Sequence, residues 1–142
     1  IQKAKQVFRI DGIVTGAIES VYQSSRIQKI CEKLGLYCFN PLWQKNQEEE
    51  MREILKNKFR FMITKIAALG LNEKWLGKII DEKDIVVLAE LNKQFGLNVA
   101  FEGGEAESAV VFMPGFKKEI KIKFDIQHDG EYRHFLDNLI IK

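Results

Sequence analysis

Two short stretches carry the residue types from which chemistry is built. The first runs from Gly16 to Arg26. Gly16-Ala17-Ile18 closes an apolar run that reads as a strand, and Ser20 with Gln23 opens a helical pattern. In parallel α/β sheets, ligands bind at the carboxyl ends of strands. Small residues there let a ligand approach the backbone closely. The helix start adds free N–H groups and a positive dipole end, both suited to an anion. Gln23 lies one turn ahead of Ile27 on the apolar stripe, and a polar residue on a buried stripe needs a partner. Arg26 is three positions on and can grip phosphate or carboxylate bidentately. Periodicity alone favours a simpler account of these residues, a capped helix with a surface arginine.

The second stretch is Glu102-Gly103-Gly104-Glu105-Ala106-Glu107. Two adjacent glycines open backbone dihedrals closed to other residues. Three carboxylates in six positions repel one another unless something positive is bound. A glycine hairpin turn with solvated acids explains the same residues, and the loop itself leaves the two readings even. Tyr22, Trp43 and Trp75 have rings able to cage a quaternary ammonium or stack on adenine. Their default assignment is core.

Other titratable residues point nowhere in particular. Cys31 and Cys38 lack CxxC spacing and a nearby His pair, and a structural zinc site needs four ligands. They are expected to be buried reduced thiols of a cytoplasmic protein. His128 and His134 follow without matching carboxylates and are expected to be ordinary surface or hairpin residues. No metal site is expected. Lys117, Lys118, Lys121 and Lys123 read as a solvated strand face.

The elements that must position these residues can be read from pattern. The chain has 142 residues, 46% hydrophobic and 30% charged, an ordinary globular balance. That length suits one domain or two small lobes. A net charge of +2 is too weak to imply nucleic acid. No apolar run approaches the roughly 20 residues of a membrane helix, and no signal segment opens the chain. Ile1 to Arg9 reads as the tail of a helix. Ile10 to Ile18 reads as a strand covered on both faces. Ser20 to Leu34 is a helix with Ser20 and Gln23 as a capping box and Gly35 as a left-handed cap. Leu36 to Leu42 completes a β-α-β unit. Pro41 and the polar run from Gln44 mark a boundary, placed after residue 45. Beyond it come a helix over Gln47 to Lys56 and a strand over Phe59 to Ala68. A short helix capped by Asn72 follows, then a helix over Asp84 to Phe95. A strand from Asn98 leads into the acidic loop, and another runs from Ser108 to Phe112. Ile120, Ile122, Phe124 and Ile126 alternate with polar residues, which predicts a half-buried antiparallel strand. Asp129-Gly130 turns it into a partner over Tyr132 to Ile141, with a short helix near Phe135 as an alternative.

Taken in order, several pieces resemble the diphthine–ammonia ligase family. They are Gly16-Ala17-Ile18-Glu19-Ser20, Tyr22-Gln23-Ser24-Ser25-Arg26 and Cys31-Glu32-Lys33-Leu34-Gly35-Leu36. Next come Pro41-Leu42-Trp43, Gly70-Leu71, Trp75-Leu76-Gly77 and Glu102-Gly103-Gly104-Glu105. The likeness extends from Gly12 to about Phe116. It implies an α/β fold: the C-terminal part of a Rossmann-like parallel sheet of the PP-loop ATP pyrophosphatase type over residues 1–45, then a smaller α+β substrate lobe over 46–142. It also implies a reaction. ATP, with Mg2+, adenylates the carboxylate of diphthine on elongation factor 2, and ammonia displaces AMP to leave the amide. On this resemblance Gly16, Ala17 and Ile18 approach the nucleotide, while Gln23 and Arg26 orient the acyl phosphate or adenylate. Glu102, Gly103, Gly104, Glu105 and Glu107 line the substrate side, where negative charge can attract a trimethylammonium group or orient ammonia. Arg26 and Glu105 are the candidate catalytic residues. Neither membrane nor direct nucleic-acid binding is expected.

The sequence departs from the family in places. The Ser-Gly-Gly-Lys-Asp-Ser phosphate loop is absent from these residues. With Ile1 in place of an initiator Met, the chain reads as the rear two-thirds of the enzyme. Ala106 stands where an aromatic is usual, Phe101 where glycine is usual, and Phe112 where an acid is expected. Two other readings stay open: a PP-loop enzyme acting on another carboxylate or a nucleobase, and a non-catalytic binding module.

Overall fold

The computed structural model describes residues 1–142, which form a smaller unit, Ile1–Lys45, and a larger one, Asn46–Lys142. Both sheets and helices are present, one sheet parallel and one antiparallel, so the chain is α/β in class. No helix is long and apolar enough to cross a membrane.

In the smaller unit the order is α1 (Gln2–Phe8), β1 (Gly12–Val14), α2 (Val21–Leu34) and β2 (Tyr37–Phe39). The caps set the limits of α2. Ser20 Oγ accepts a hydrogen bond from the Gln23 amide at 3.4 Å, which satisfies one of the helix's free donors. At the other end Gly35 turns left-handed, with φ of 61°, and its N–H donates to the carbonyls of Cys31 and Glu32. The crossover returns the chain beside β1, and the two strands pair in parallel with Ile13 opposite Cys38.

Two expectations fail here. The strand predicted over Ile10 to Ile18 narrows to three residues, because Ala17 and Ile18 turn inward as a loop whose Ile18 carbonyl receives the Gln44 amide at 2.7 Å. Nor is the strand pair covered on both faces: Val14, Tyr37 and Phe39 are exposed. The stripe of α2 is likewise shallow. Only Cys31 is fully buried, Ile27 is half-buried, and Gln23 is exposed. Both cysteines are free, but only Cys31 is buried, and Cys38 is half-buried. Burial pushes the Cys31 thiol up from its ordinary pKa, and the adjacent Cys38 adds to the shift.

The larger unit runs α3 (Gln47–Lys56), β3 (Arg60–Ile66), a 3-10 turn (Glu73–Trp75), α4 (Glu82–Phe95), β4 (Ala106–Phe112), β5 (Ile122–His128) and β6 (His134–Ile141). Its four strands lie in the order β4-β3-β6-β5, every pair antiparallel. Phe61, Met62, Ile63 and Ile66 of β3 are buried at the centre, with Ile85 and Leu88 of α4 and Val111 of β4. Ile122, Phe124 and Ile126 add the partly buried inner row of β5, as their alternation predicts.

α4 starts two residues earlier than expected, at Glu82, with Asp81 as its cap. Asp81, not the segment from Asp84, opens the helix. Its carboxylate accepts from the amides of Lys83 and Asp84 at 2.8 and 3.1 Å, and Asp84 Oδ2 accepts in return from the Asp81 amide at 3.0 Å. That reciprocal box holds the Asp81 carboxyl below its ordinary pKa, chiefly through the Asp84 amide. The buried Asp84 also pairs with the Lys78 ammonium. The strand predicted from Asn98 does not form; a side-chain-braced turn occupies those residues. Conversely β4 begins earlier than predicted, at Ala106. The chain turns between β5 and β6 at Gly130, φ 86°, with the Asp129 amide donating to the Arg133 carbonyl at 2.7 Å, and Phe135 lies in a strand rather than a helix.

Gly77 joins the 3-10 turn to the sheet. Its φ is 72°, and a Cβ there would sit 2.1 Å from Cζ of Phe124. The Phe124 ring therefore lies directly on the glycine backbone. Gly77→Ala combines a disfavoured left-handed residue with overpacking, and is expected to destabilise the larger unit by about 3 kcal/mol in urea unfolding. In the folded protein, iodoacetamide should modify Cys38 well before Cys31, as peptide mapping after brief labelling would show.

Candidate functional site

The first group of candidate residues gathers at the carboxyl ends of β1 and β2. Gly16 is exposed, and no atom lies within 4 Å of where its Cβ would be, so the backbone there is open to approach. Ala17 and Ile18 are buried beneath it. Two polar residues at the same strand ends were missed in the sequence. Thr15 Oγ1, and both side-chain polar atoms of Asn40, are enclosed without a hydrogen-bond partner. Such groups ordinarily carry one. Each follows the last residue of its strand directly, a position that could have drawn attention to it.

Gln23 and Arg26 stand on the first turns of α2 and face solvent. Exposure overturns the argument that Gln23 occupies a buried stripe. Arg26 is not free to wander: its Nη1 donates to the Tyr22 hydroxyl at 2.6 Å, and its guanidinium lies 5.7 Å from the Tyr22 ring centroid. Tyr22 itself is exposed rather than core.

The second group is the acidic loop, and Asn98 organises it. Its Oδ1 accepts from the amides of Ala100 and Glu102 at 3.1 and 3.0 Å. Its own amide donates to Glu105 Oε1 at 3.1 Å. An Asn bonding the backbone two residues ahead is a recognised turn device, and that was the signal available in the sequence. The Gln47 side chain also accepts from the Ala100 amide, at 3.2 Å. The loop is thus preceded by a turn, not by a strand.

Within the loop the three carboxylates do not share one fate. Glu107 Oε1 pairs with Lys65 Nζ at 2.7 Å across the β3–β4 ladder. Glu105 folds back under the glycines, so that a Cβ on Gly103 would meet its carboxylate oxygens at 2.4 and 3.0 Å. Its Oε2 is enclosed without a hydrogen-bond partner. Its backbone carbonyl receives the Ala67 amide at 2.7 Å, which latches the loop to the end of β3. The repulsion inferred from the sequence is relieved by Lys65 and by a backbone N–H. Gly104 needs its freedom, with φ of 86°. Phe101 adopts φ of 61°, a left-handed conformation suited to glycine. Ala106 is buried and pairs with Ile66.

A third group was not anticipated. Glu73 supplies the carboxylate that His128 and His134 lack in sequence: His128 Nδ1 lies 3.5 Å from Glu73 Oε1 and 3.1 Å from His134 Nδ1. The three ligand-type atoms lie within 4.8 Å of one another. Sequence reasoning missed the set because Glu73 is far along the chain from the two histidines.

The close fit of Gly103 over Glu105 can be measured. Gly103→Ala should cost about 1–3 kcal/mol in chemical denaturation, and the penalty should shrink when combined with Glu105→Ala, giving a coupling energy well above zero.

The comparisons agree across both units. The family model described as diphthamide synthase N-terminal domain matches residues 1–38, and that described as diphthamide synthase C-terminal domain matches residues 46–140. The chain is 41% identical over 121 residues to the diphthine–ammonia ligase of Homo sapiens, covering 84% of this chain and 45% of that protein. The Mus musculus protein of the same name is 40% identical over 123 residues, 86% of this chain and 46% of its own length. For Schizosaccharomyces pombe the figures are 40% over 111 residues, 78% of this chain and 18% of the relative. The chain therefore spans about half the length of the mammalian relatives it matches and a smaller share of the yeast one. On the matches to both domain models and to these relatives, the chain belongs to the diphthamide synthase family.

Proposed function

We propose that this chain is part of an ATP-dependent, AMP-forming ligase that amidates the carboxylate of diphthine on elongation factor 2 with ammonia, in the cytoplasm. The observation that carries the reading is the 41% identity to a diphthine–ammonia ligase over most of the chain. In this reading residues 1–45 are the rear of a Rossmann-like nucleotide lobe and 46–142 the substrate lobe. A carboxylate oxygen of diphthine attacks the α-phosphorus of ATP, pyrophosphate leaves, and ammonia then attacks the acyl carbon as AMP departs.

The smaller unit suits the nucleotide side. Gly16 offers an open backbone, and the buried Ala17 and Ile18 lead from it to the α2 N-terminus, where amides and the dipole favour an anion. The enclosed, unpartnered atoms of Thr15 and Asn40 at the same strand ends favour a polar ligand there. Gln23 and Arg26 orient the acyl phosphate or adenylate, and the bond that Arg26 donates to the Tyr22 hydroxyl limits the directions in which its fork can point. Glu19 is the one carboxylate between Gly16 and Arg26, too few for a protein cage, so Mg2+ would be held mainly by ATP's own phosphates.

The acidic loop suits the substrate side, with Glu102, Gly103, Gly104, Glu105 and Glu107 lining it. Lys65 pairs with Glu107, so Glu105 carries more of the attraction toward a trimethylammonium group. Glu105→Gln is the informative change, because a glutamine oxygen can still accept from the Asn98 amide while the charge is lost. In the full-length enzyme, amidation of diphthine-bearing elongation factor 2 should slow by about tenfold or more with unfolding unchanged. Unaltered kinetics would remove Glu105 from the site. Failure of the unsubstituted enzyme to convert ATP to AMP with this substrate would sink the reading itself.

A further inference from the structure

We propose that Glu73, His128 and His134 form a binding site for a divalent transition-metal ion of the zinc type, with at least one coordination position open to solvent.

The fold brings the three together by a short chain of causes. Inward-facing residues of β5 recur every second position, so Phe124 and His128 belong to one row. Phe124 lies on the backbone of Gly77, which seats the 3-10 turn against that row. The same turn begins with Glu73, fixed by Asn72, whose Oδ1 accepts from the Lys74 amide at 3.0 Å. His134 is the register partner of His128, one step from the β5–β6 turn, and it also pairs with Ile66 of β3. Two imidazoles and a carboxylate therefore meet at the rim of the larger unit, each from a different backbone segment.

Two of the three separations are those of ligands around one ion, and the third is within 4.8 Å. Zinc bonds to imidazole nitrogen and carboxylate oxygen are about 2.0–2.2 Å, which places neighbouring tetrahedral ligand atoms about 3.3–3.5 Å apart. Here the two separations from His128 Nδ1 are 3.1 Å to nitrogen and 3.5 Å to oxygen. The two rings turn their Nδ1 atoms toward one another, and His128 Nδ1 also faces the Glu73 carboxylate. Without an ion, one Nδ1 must carry a proton and donate it to the other. An ion would replace that proton, which leaves to solvent, and join both lone pairs to the Glu73 charge. Two imidazoles with one carboxylate suit zinc and the later divalent first-row ions over calcium or magnesium. The side chains of His128 and Glu73 are 54% and 56% exposed, so water can complete the shell. Asp129 at the neighbouring turn is held by Arg133.

The test is metal binding, independent of amidation. The chelator-stripped protein is titrated with Zn2+ by calorimetry and with Co2+ by absorption. One equivalent should bind, and the Co2+ spectrum should show nitrogen and oxygen ligation without a near-ultraviolet thiolate band. His134→Ala and Glu73→Gln should each weaken binding by about tenfold or more, while the double change Cys31→Ser, Cys38→Ser should leave it unchanged. Circular dichroism checks that the exposed substitutions leave the fold intact. The proposal is overturned by an absence of saturable one-to-one binding. It is equally overturned if binding survives His134→Ala or is lost with the cysteines.

Discussion

Ile63 and Ile66 are almost entirely shut off from solvent, and the strand that holds them sets the position of nearly everything in the larger unit. β4 and β6 pair with its two edges. The segment after the 3-10 turn joins it too: the Gly77 amide donates to the Ile63 carbonyl at 2.8 Å, and the Ile80 amide to that of Phe61 at 3.1 Å. Burying apolar side chains such as these yields about 1.5–3 kcal/mol each, far more than any exposed ion pair on this surface. The acidic loop and the histidine rim both hang from opposite sides of the end of this strand. Ala67 latches Glu105, and Ile66 pairs with His134.

The loop shows how one residue can be structural and still available for chemistry. Glu105 gives one oxygen to the Asn98 amide and keeps the other enclosed without a partner. Its fold-back needs a glycine above it, which accounts for Gly103, while the left-handed backbone accounts for Gly104. The glycine pair therefore has two separate causes. Phe101, left-handed without being glycine, bears a conformational cost that its packing against the core offsets.

Locally encoded features were legible in the sequence. Ser20 and Gly35 bound α2, α3 covers Gln47–Lys56 as its pattern predicts, and the alternation of Ile122, Phe124 and Ile126 names the inner row of β5. Each depends on residues a few positions apart. Features that depend on distant partners were not. The apolar run around Ile13 looks like a covered strand, yet Val14 is exposed, since periodicity reports apolar character and not what lies across from it. The strand expected from Asn98 does not form, since the Asn98 side chain competes for the backbone and makes a turn. Glu73 lies too far in sequence from His128 for spacing to connect them.

The order of the strands in the chain has a consequence for how the protein comes into being. The strand that anchors the larger unit is the first of its four to leave the ribosome, whereas Ala106–Phe112 and His134–Ile141 emerge much later. Until they do, an apolar segment with two unpaired edges must wait, a state prone to self-association. The capped helices Gln47–Lys56 and Glu82–Phe95 can form in the interval from local contacts alone. Closure of the sheet thus waits for His134–Ile141.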